Sequence, residues 1–428
     1  MIRKLAFAFS VALTAAAPVA EACTRVIYHG PDGRNLTARS MDWSLPMVSN
    51  LWVFPRGMAR SGEAGEGSLE WTSKYGSLIV SGYDIATVDG MNEKGLVANM
   101  LWLTSSVYPE PEDKTPQLSL SLWAQYFMDN YASVAEAVAD MKTNPFNVVS
   151  ADVPMQPGRL TTVHLSLSDA SGDSAILEWI DGELQVHHGA EYNVMTNDPP
   201  YPDMLALSSY WSGVNPREML PGTTRAADRF VRAKTYIDMV VQSDDRRIAA
   251  AAAFSVIRNA SVPYGISTED APNLSTTRWR TVADQKDRIF YVESAISPNV
   301  FWIDLEKLDF SEASGVRKLD LGEDMVNLHS GRSRPNLLSQ SLSGSRPCRN
   351  SSTITFSRAV GEWVLGAAPA PWLRPNAFAR IAAPWLAKVA EELVLSCGQG
   401  QGGFLGHPVS LCFFMHAFPV GCAGKLLF

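Results

Sequence analysis

Cysteine is scarce and unevenly placed in this chain of 428 residues: there are five, and only Cys23 precedes Cys348. A disulfide framework is thereby excluded from most of the chain. Basic charge is also in deficit. The formal net charge of −8 argues against a nucleic-acid partner. No glycine-rich phosphate loop and no internal repeat stands out. Beyond residue 22, no uninterrupted apolar run is long enough for a spanning helix, so the mature chain is expected to be soluble. What remains, 46% hydrophobic and 19% charged residues, is ordinary globular composition. The length allows a large core and more than one folded unit.

The solitary cysteine follows a stretch that reads as a secretory leader. Met1-Ile2-Arg3-Lys4 gives a positive start, Leu5 to Ala17 is largely apolar, and Ala20-Glu21-Ala22 has the small-x-small form of a signal-peptidase site. Residues 1–22 are therefore expected to be removed and the protein to be periplasmic. Cleavage would make Cys23 the first mature residue, with a thiol of reference pKa about 8.5 beside an α-amine of about 7.7–8.0. A nucleophile and a weak base on one residue suggest an N-terminal nucleophile amidase. The competing readings are a lipid-anchored periplasmic binding or structural protein acylated on Cys23, a disulfide partner, and an inert buried thiol. Glu21 fits a lipobox poorly, and no second cysteine lies in the main body.

A compositional break falls near Gly331. Residues 332–428 hold 9 Lys+Arg and 3 Asp+Glu, with no Asp and four of the five cysteines. Residues 1–331 hold 27 basic against 41 acidic residues. Ala367-Ala368-Pro369-Ala370-Pro371 and Gly398-Gln399-Gly400-Gln401-Gly402-Gly403 interrupt the tail, and only Pro384 to Val394 reads as a helix there. The tail is read as a frame-changed or disordered extension outside the amidase, with an accessory or anchoring segment as the alternative.

Between these ends, strand-like and helix-like segments alternate. Thr24–Tyr28 and Leu36–Arg39, split by Pro31-Asp32-Gly33, read as a hairpin. Ile85–Val88 and Gly95–Leu103 flank a turn over 89–94. Helical spacing covers Leu118–Asp129, Ser133–Met141 (Ser133 with Glu136 as a capping box), Arg225–Val241 and Arg246–Ile257. Further strands are read at Thr161–Leu167, Ala175–Trp179, Arg278–Ala283, Ile289–Ser294 and Val300–Ile303. Strands, two helices, strands, two helices, strands is the order of an α+β layered domain with mainly antiparallel sheets.

For chemistry around Cys23, the hairpin returns Arg39 and Asp42 toward it. There an arginine would lower the thiol pKa and a carboxylate would orient the amine. Asn197, in Met195-Thr196-Asn197-Asp198-Pro199, has an amide able to donate to an oxyanion. Arg229 lies in Asp228-Arg229-Phe230. Taken singly, each has a plain alternative: a surface ion pair, an Asx cap, a solvated helix arginine. Trp43, Trp52, Tyr83 and Trp102 could line an acyl pocket or simply fill the core.

Residues 23–331 resemble the choloylglycine hydrolase family of bile salt hydrolases and penicillin V acylases. The resemblance is carried in order by Cys23-Thr24-Arg25, Ala38-Arg39-Ser40-Met41-Asp42, Asp89-Gly90-Met91-Asn92-Glu93-Lys94-Gly95-Leu96, Met195-Thr196-Asn197-Asp198-Pro199 and Asp228-Arg229-Phe230. It implies the four-layer αββα sandwich of N-terminal nucleophile hydrolases. Cys23 would be the nucleophile and its α-amine the base, with Arg39, Asp42, Asn197 and Arg229 around them. It implies a small-molecule amide as substrate, no cofactor, no metal, and no catalytic role for His164, His187 or His188. Two features depart from many members. Trp102 stands where many bile salt hydrolases have an asparagine. The stretch between Asn197 and Arg229 is shorter than the loop that builds tetramers in Gram-positive members. With the leader, this resembles the Gram-negative branch, which contains penicillin V and acyl-homoserine-lactone acylases. A homo-oligomer stays open.

Overall fold

A computed structural model of the chain describes residues 23–332 except 111–114, 144, 267–274, 298, 328 and 330. The chain divides into the units Met1–Ser345 and Arg346–Phe428, and every described residue belongs to the first. The leader read over 1–22 and, save Arg332, the tail read over 332–428 lie outside the described residues.

The described chain opens with the expected hairpin of β1 (Thr24–His29) and β2 (Asn35–Trp43). β3 (Leu51–Phe54) follows, then a small ribbon of β4 (Ala59–Ser61) and β5 (Glu70–Thr72), then a meander of β6 (Ser77–Gly82), β7 (Ala86–Asn92) and β8 (Val97–Trp102). β9 (Gln117–Ser119) leads into α1 (Trp123–Asn130) and α2 (Val134–Met141), and β10 (Asn147–Val149) pairs with it in parallel. A second meander, β11 (Val163–Ser168), β12 (Ser174–Ile180) and β13 (Glu183–His188), precedes β14 (Val194–Met195). Three helices come next: α3 (Tyr201–Ser212), α4 (Ala226–Met239) and α5 (Arg246–Asn259). The chain closes with β15 (Thr276–Asp284), β16 (Ile289–Ser294), β17 (Val300–Asp304), β18 (Arg317–Leu319) and β19 (Gly331–Arg332).

Two sheets result. One runs β14-β1-β2-β15-β16-β17-β19 and the other β13-β12-β11-β8-β7-β6-β3-β18. Helices α4 and α5 cover the first sheet, and α1 and α2 cover the second. The order is helix, sheet, sheet, helix, the four-layer sandwich. Because strand side chains alternate, each central strand serves two layers. In β2, Thr37 and Arg39 reach across to Ser168, Val88 and Met100 of the facing sheet. Thr24 of β1 points the other way, to Arg229 on α4. Phe127, Phe230, Phe290 and Trp279 are fully buried between these layers, each contributing about 1.5–3 kcal/mol of apolar burial.

The strands β3 to β6, β13, β14, β18 and β19 have no counterpart in the sequence reading, and three further elements depart from it. The helix expected over 118–129 starts only at Trp123, because 117–119 is taken up by pairing with β10. The turn expected over 89–94 is shorter, since β7 continues to Asn92. Asn92 Oδ1 accepts the N–H groups of Lys94 and Leu96, reinforcing the backbone bonds from Gly95 N to Asn92 O and from Asn92 N to Leu96 O that close the reversal. Helix α3 was not foreseen. It carries Leu205, Leu207 and Tyr210 exposed and Tyr201 and Met204 buried, so it lacks the one-sided pattern that marks a helix in sequence. Ser133 does cap α2 by accepting from Glu136 N, as read.

Gly95 ties the sheets together at one end. Its φ is +91°, its carbonyl accepts from Gln285 Nε2 at 3.1 Å, and a Cβ there would stand 2.8 Å from Gln285 O. Gly95→Ala is therefore expected to lower stability by about 1–3 kcal/mol, read as a fall in Tm. An unchanged Tm would show that this close approach is not needed.

Candidate active site

Register places the residues around Cys23. Arg25 pairs with Arg39 and Thr24 with Ser40 across β1–β2, so the next position back sets Cys23 opposite Met41. Arg25 pairs with Met195 and Val26 with Val194 across β1–β14, so the same continuation sets Cys23 opposite Asn197. The side chains agree. Cys23 Sγ lies 3.9 Å from Met41 Sδ, and the nitrogen of residue 23 donates to Asn197 Oδ1 at 2.6 Å.

Asn197 is held from two sides. Its Oδ1 also accepts from Arg229 Nη2 at 2.8 Å, and its Nδ2 donates one hydrogen to Trp102 O at 2.7 Å. The second Nδ2 hydrogen is left for another acceptor. Arg229, wholly buried near the start of α4, further donates to Cys23 O (2.5 Å), Thr24 Oγ1 (2.6 Å) and Thr224 O (2.9 Å). One guanidinium thus binds the backbone of residue 23, its neighbour and Asn197 at once.

Arg39 and Asp42 take different places from each other. Arg39 faces the second sheet and donates to Val88 O (3.0 Å) and Met100 O (2.8 Å). Its guanidinium stands 3.9 Å from Asp89 and over the Trp279 ring. It acts on the thiol through its field rather than by a hydrogen bond. Asp42 points to the helical side, where its carboxylate accepts from the Thr277 and Ser40 hydroxyls. The nitrogen of residue 23 meets Asn197 rather than this carboxylate. The Asp42 backbone N–H faces Cys23 Sγ at 3.5 Å.

Electrostatics follow from burial. Cys23 is 2% exposed. Burial pushes its thiol above the ordinary value and outweighs the downward pull of Arg39 and of the Asp42 N–H. Such a thiol needs a base at close range to ionise. Burial likewise raises the Asp42 carboxyl to about 6, against the pull of Arg229 and the Thr277 hydroxyl. A thiol this enclosed is also a poor attachment point for a lipid.

A cavity of about 150 Å³ opens beside Sγ and is almost wholly apolar. Trp43, Tyr83 and Trp102 all line it, with Met41, Met100 and Val163. Trp43 Nε1 donates to Tyr83 OH at 2.5 Å, and the Trp43 and Trp102 rings lie 5.4 Å apart. Trp52 stands elsewhere, stacked on Phe54 with its Nε1 on Asp84. Arg159, which no sequence signal singled out, lies over Trp102 at 4.6 Å and over Trp43 at 5.6 Å. Thr277 and Asp89 were missed as well. Their partners are far away in the chain, so only the β2–β15 pairing and the meeting of the sheets reveal them. No group of three or more His, Cys, Asp or Glu able to hold a metal ion occurs among the described residues.

A sandwich of this kind, with an apolar cavity meeting a cysteine beside buried polar groups, is that of the N-terminal nucleophile hydrolases. The chain belongs to the choloylglycine hydrolase family of linear amide C–N hydrolases, whose family model matches residues 23–323. It is 50% identical over 347 residues to a penicillin V acylase of Pectobacterium atrosepticum, covering 75% of this chain and 91% of that one. The structure of penicillin V acylase from Agrobacterium tumefaciens matches with TM-score 0.68 and 56% identity, covering 72% of this chain and 95% of that one. A conjugated bile acid hydrolase from Clostridium perfringens shares the fold at TM-score 0.59 and 20% identity, covering 73% and 98%.

Asp42 loses its charge below about pH 6, which strips the buried Arg229 of an opposing charge. Because Arg229 holds Asn197 and residue 23, amide hydrolysis is expected to fall off on the acid side near that pH. Thr277→Val removes a hydrogen bond to the carboxylate form, which raises the Asp42 pKa further. The acid limb of the pH–rate profile should then move to higher pH. A limb that stays in place would mean that Asp42 does not carry it.

Proposed function

We propose that this chain is a cysteine N-terminal nucleophile amidase that removes an apolar acyl group from a linear amide, of the penicillin V acylase type. The observation that carries the reading is the position of Cys23. Its sulfur meets an apolar cavity, while its nitrogen is bonded to an asparagine that a buried arginine holds. The raised thiol pKa calls for an adjacent base, and cleavage after Ala22 would supply one as the α-amine. Export of the mature chain to the periplasm belongs to the same proposal.

In this reading the α-amine of Cys23 takes the thiol proton, and the sulfur attacks the amide carbonyl carbon. The carbonyl oxygen becomes an oxyanion that the second Asn197 Nδ2 hydrogen can meet. Collapse breaks the C–N bond, and the ammonium gives its proton to the leaving amine. The resulting thioester is attacked by a water that the α-amine deprotonates. The acid departs and the thiol recovers its proton. Arg229 keeps Asn197 and residue 23 aligned, and Arg39 and the Asp42 N–H favour the thiolate.

Cavity size bears on the substrate. At about 150 Å³ it falls below the roughly 300–1,000 Å³ of drug-sized sites. One aromatic ring or a short chain between Trp43 and Trp102 suits it better than a steroid. Among penicillin V, a conjugated bile salt and an acyl-homoserine lactone, penicillin V is expected to be hydrolysed fastest. A bile salt turned over about ten times faster than penicillin V would overturn this assignment.

Cys23→Ala is expected to reduce hydrolysis by at least about 10³-fold while the protein stays folded. A chain that keeps residues 1–22 should be silent, because an amide nitrogen at residue 23 is no base. Equal activity with and without the leader would remove the α-amine from the mechanism.

Of the tail read over 332–428, Arg332 of β19 pairs with Trp302; residues 333–428 are proposed to lie outside the amidase, in keeping with a family match that ends at residue 323. Stopping the chain after Arg332, the last residue of β19, should leave kcat unchanged and raise soluble yield. Loss of folding or of catalysis would make the tail part of the enzyme.

A further inference from the structure

His164 and Glu178 form a buried pair that the mechanism above leaves unused. His164 lies on β11 at 2% exposure and Glu178 on β12 at 0%. His164 Nε2 is 2.7 Å from Thr196 O, and Nδ1 is 2.8 Å from Glu178 Oε1. Both neighbours are acceptors. A neutral imidazole has one N–H and can serve only one of them. Both contacts are satisfied only when a second proton lies on the ring or between Nδ1 and the carboxylate. Burial opposes the Glu178 carboxylate, yet the hydrogen bond from His164 and its neighbours' contacts hold the group at about 2. The other carboxylate oxygen accepts from Tyr201 N at 2.9 Å, at the first residue of α3. The pair therefore grips the segment carrying Asn197 at both ends, at the Thr196 carbonyl before it and the Tyr201 amide after it.

We propose that His164 and Glu178 are positioning residues of the amidase, fixing the Thr196–Asn197 peptide plane and hence the stance of the Asn197 amide against Cys23. The proposal rests on the reading that Asn197 serves Cys23. The geometry is direct, because Thr196 C=O and Asn197 N–H belong to one planar unit. Rotating that unit would swing the Asn197 side chain, which must keep 2.6 Å to the nitrogen of residue 23 and 2.8 Å to Arg229. The other local ties, Thr196 Oγ1 to Ala226 O and Asp198 to the Thr104 and Ser105 amides, hold neighbouring atoms and do not engage this carbonyl. A displacement of about 1 Å in a catalytic group can cost about 10²-fold in rate.

The test compares His164→Leu, His164→Gln, Glu178→Gln and Asn197→Ala in the mature protein. Penicillin V is the substrate, and kcat is expressed per mole of folded protein. His164→Leu should lower kcat about 10²-fold with KM within about threefold, the pattern of an interaction that matters in the transition state. His164→Gln keeps an N–H within reach of Thr196 O and should recover to within about tenfold of the parent. His164→Leu should add little to Asn197→Ala, because the two act on one group. If Asn197→Ala is slow while His164→Leu keeps the parent kcat, or if Gln is as slow as Leu, the positioning role is overturned. If Asn197→Ala itself keeps the parent kcat, the underlying reading of Asn197 falls instead. Should His164→Leu not fold, near-isosteric Glu178→Gln decides: a kcat drop of about fivefold or more is expected on loss of the paired charge, and an unchanged kcat overturns the proposal.

Discussion

The site is organised by the need to satisfy one wholly buried guanidinium. Burying Arg229 without partners would cost several kcal/mol, and burial lowers its pKa even with Asp42 and Cys23 nearby. The fold answers with four acceptors: Cys23 O, Thr24 Oγ1, Thr224 O and Asn197 Oδ1. Three of those four belong to residues that must converge at the start of β1. The same bonds that satisfy the arginine therefore set the main chain at residue 23 and the face of the Asn197 amide. A helix on one layer, a strand in the next and a connecting loop are locked at a single point.

Strand alternation then divides the labour. Met41 and Arg39 of β2 face the second sheet, where Sδ and the Trp43 and Trp102 indoles make an apolar wall. Asp42 and Thr24 face the helices, where hydroxyls and Arg229 make a polar one. Cys23 sits at the seam. Its sulfur lies on the apolar side, which suits an acyl group but raises the thiol pKa. Its nitrogen lies on the polar side, where a base can be held. Burial thus creates the demand for a base, and the register of β1 with β14 supplies the place for one.

Much of this was legible in the sequence because it is local. The β1–β2 hairpin, the Ser133 cap and the cluster Ala38 to Asp42 are short-range patterns. The five motif strings gave the family, and with it the layered fold and the set Cys23, Arg39, Asp42, Asn197 and Arg229. What escaped has its cause elsewhere in the chain. Thr277 reaches Asp42 only because β15 pairs with β2. Asp89 looked like a turn residue, yet Asn99 and Thr281 hold it inside a strand facing Arg39. Helix α3 has apolar residues on several sides, so periodicity could not mark it. His164 was expected only to lack a catalytic role, and its partners, Glu178 and Thr196, come from separate elements.

Under the proposed reaction, the two halves of the substrate would meet different kinds of selection. The acyl half enters an apolar cavity of fixed walls, where Trp43 is tied to Tyr83 and packed on Trp102. Shape decides there, and one extra methylene in such a pocket is worth about 1–3 kcal/mol. The reacting amide instead meets groups whose directions are set by hydrogen bonds spanning α4 and both large sheets. Those groups see only a carbonyl and a nitrogen, which every linear amide presents. In the proposed amidase, specificity can therefore change through the cavity side chains of this chain while its Arg229–Asn197–Cys23 frame stays as it is. The bile acid hydrolase structure at 20% identity shares the sandwich alone, so what the walls around Trp43 and Trp102 admit is decided by this chain's own side chains.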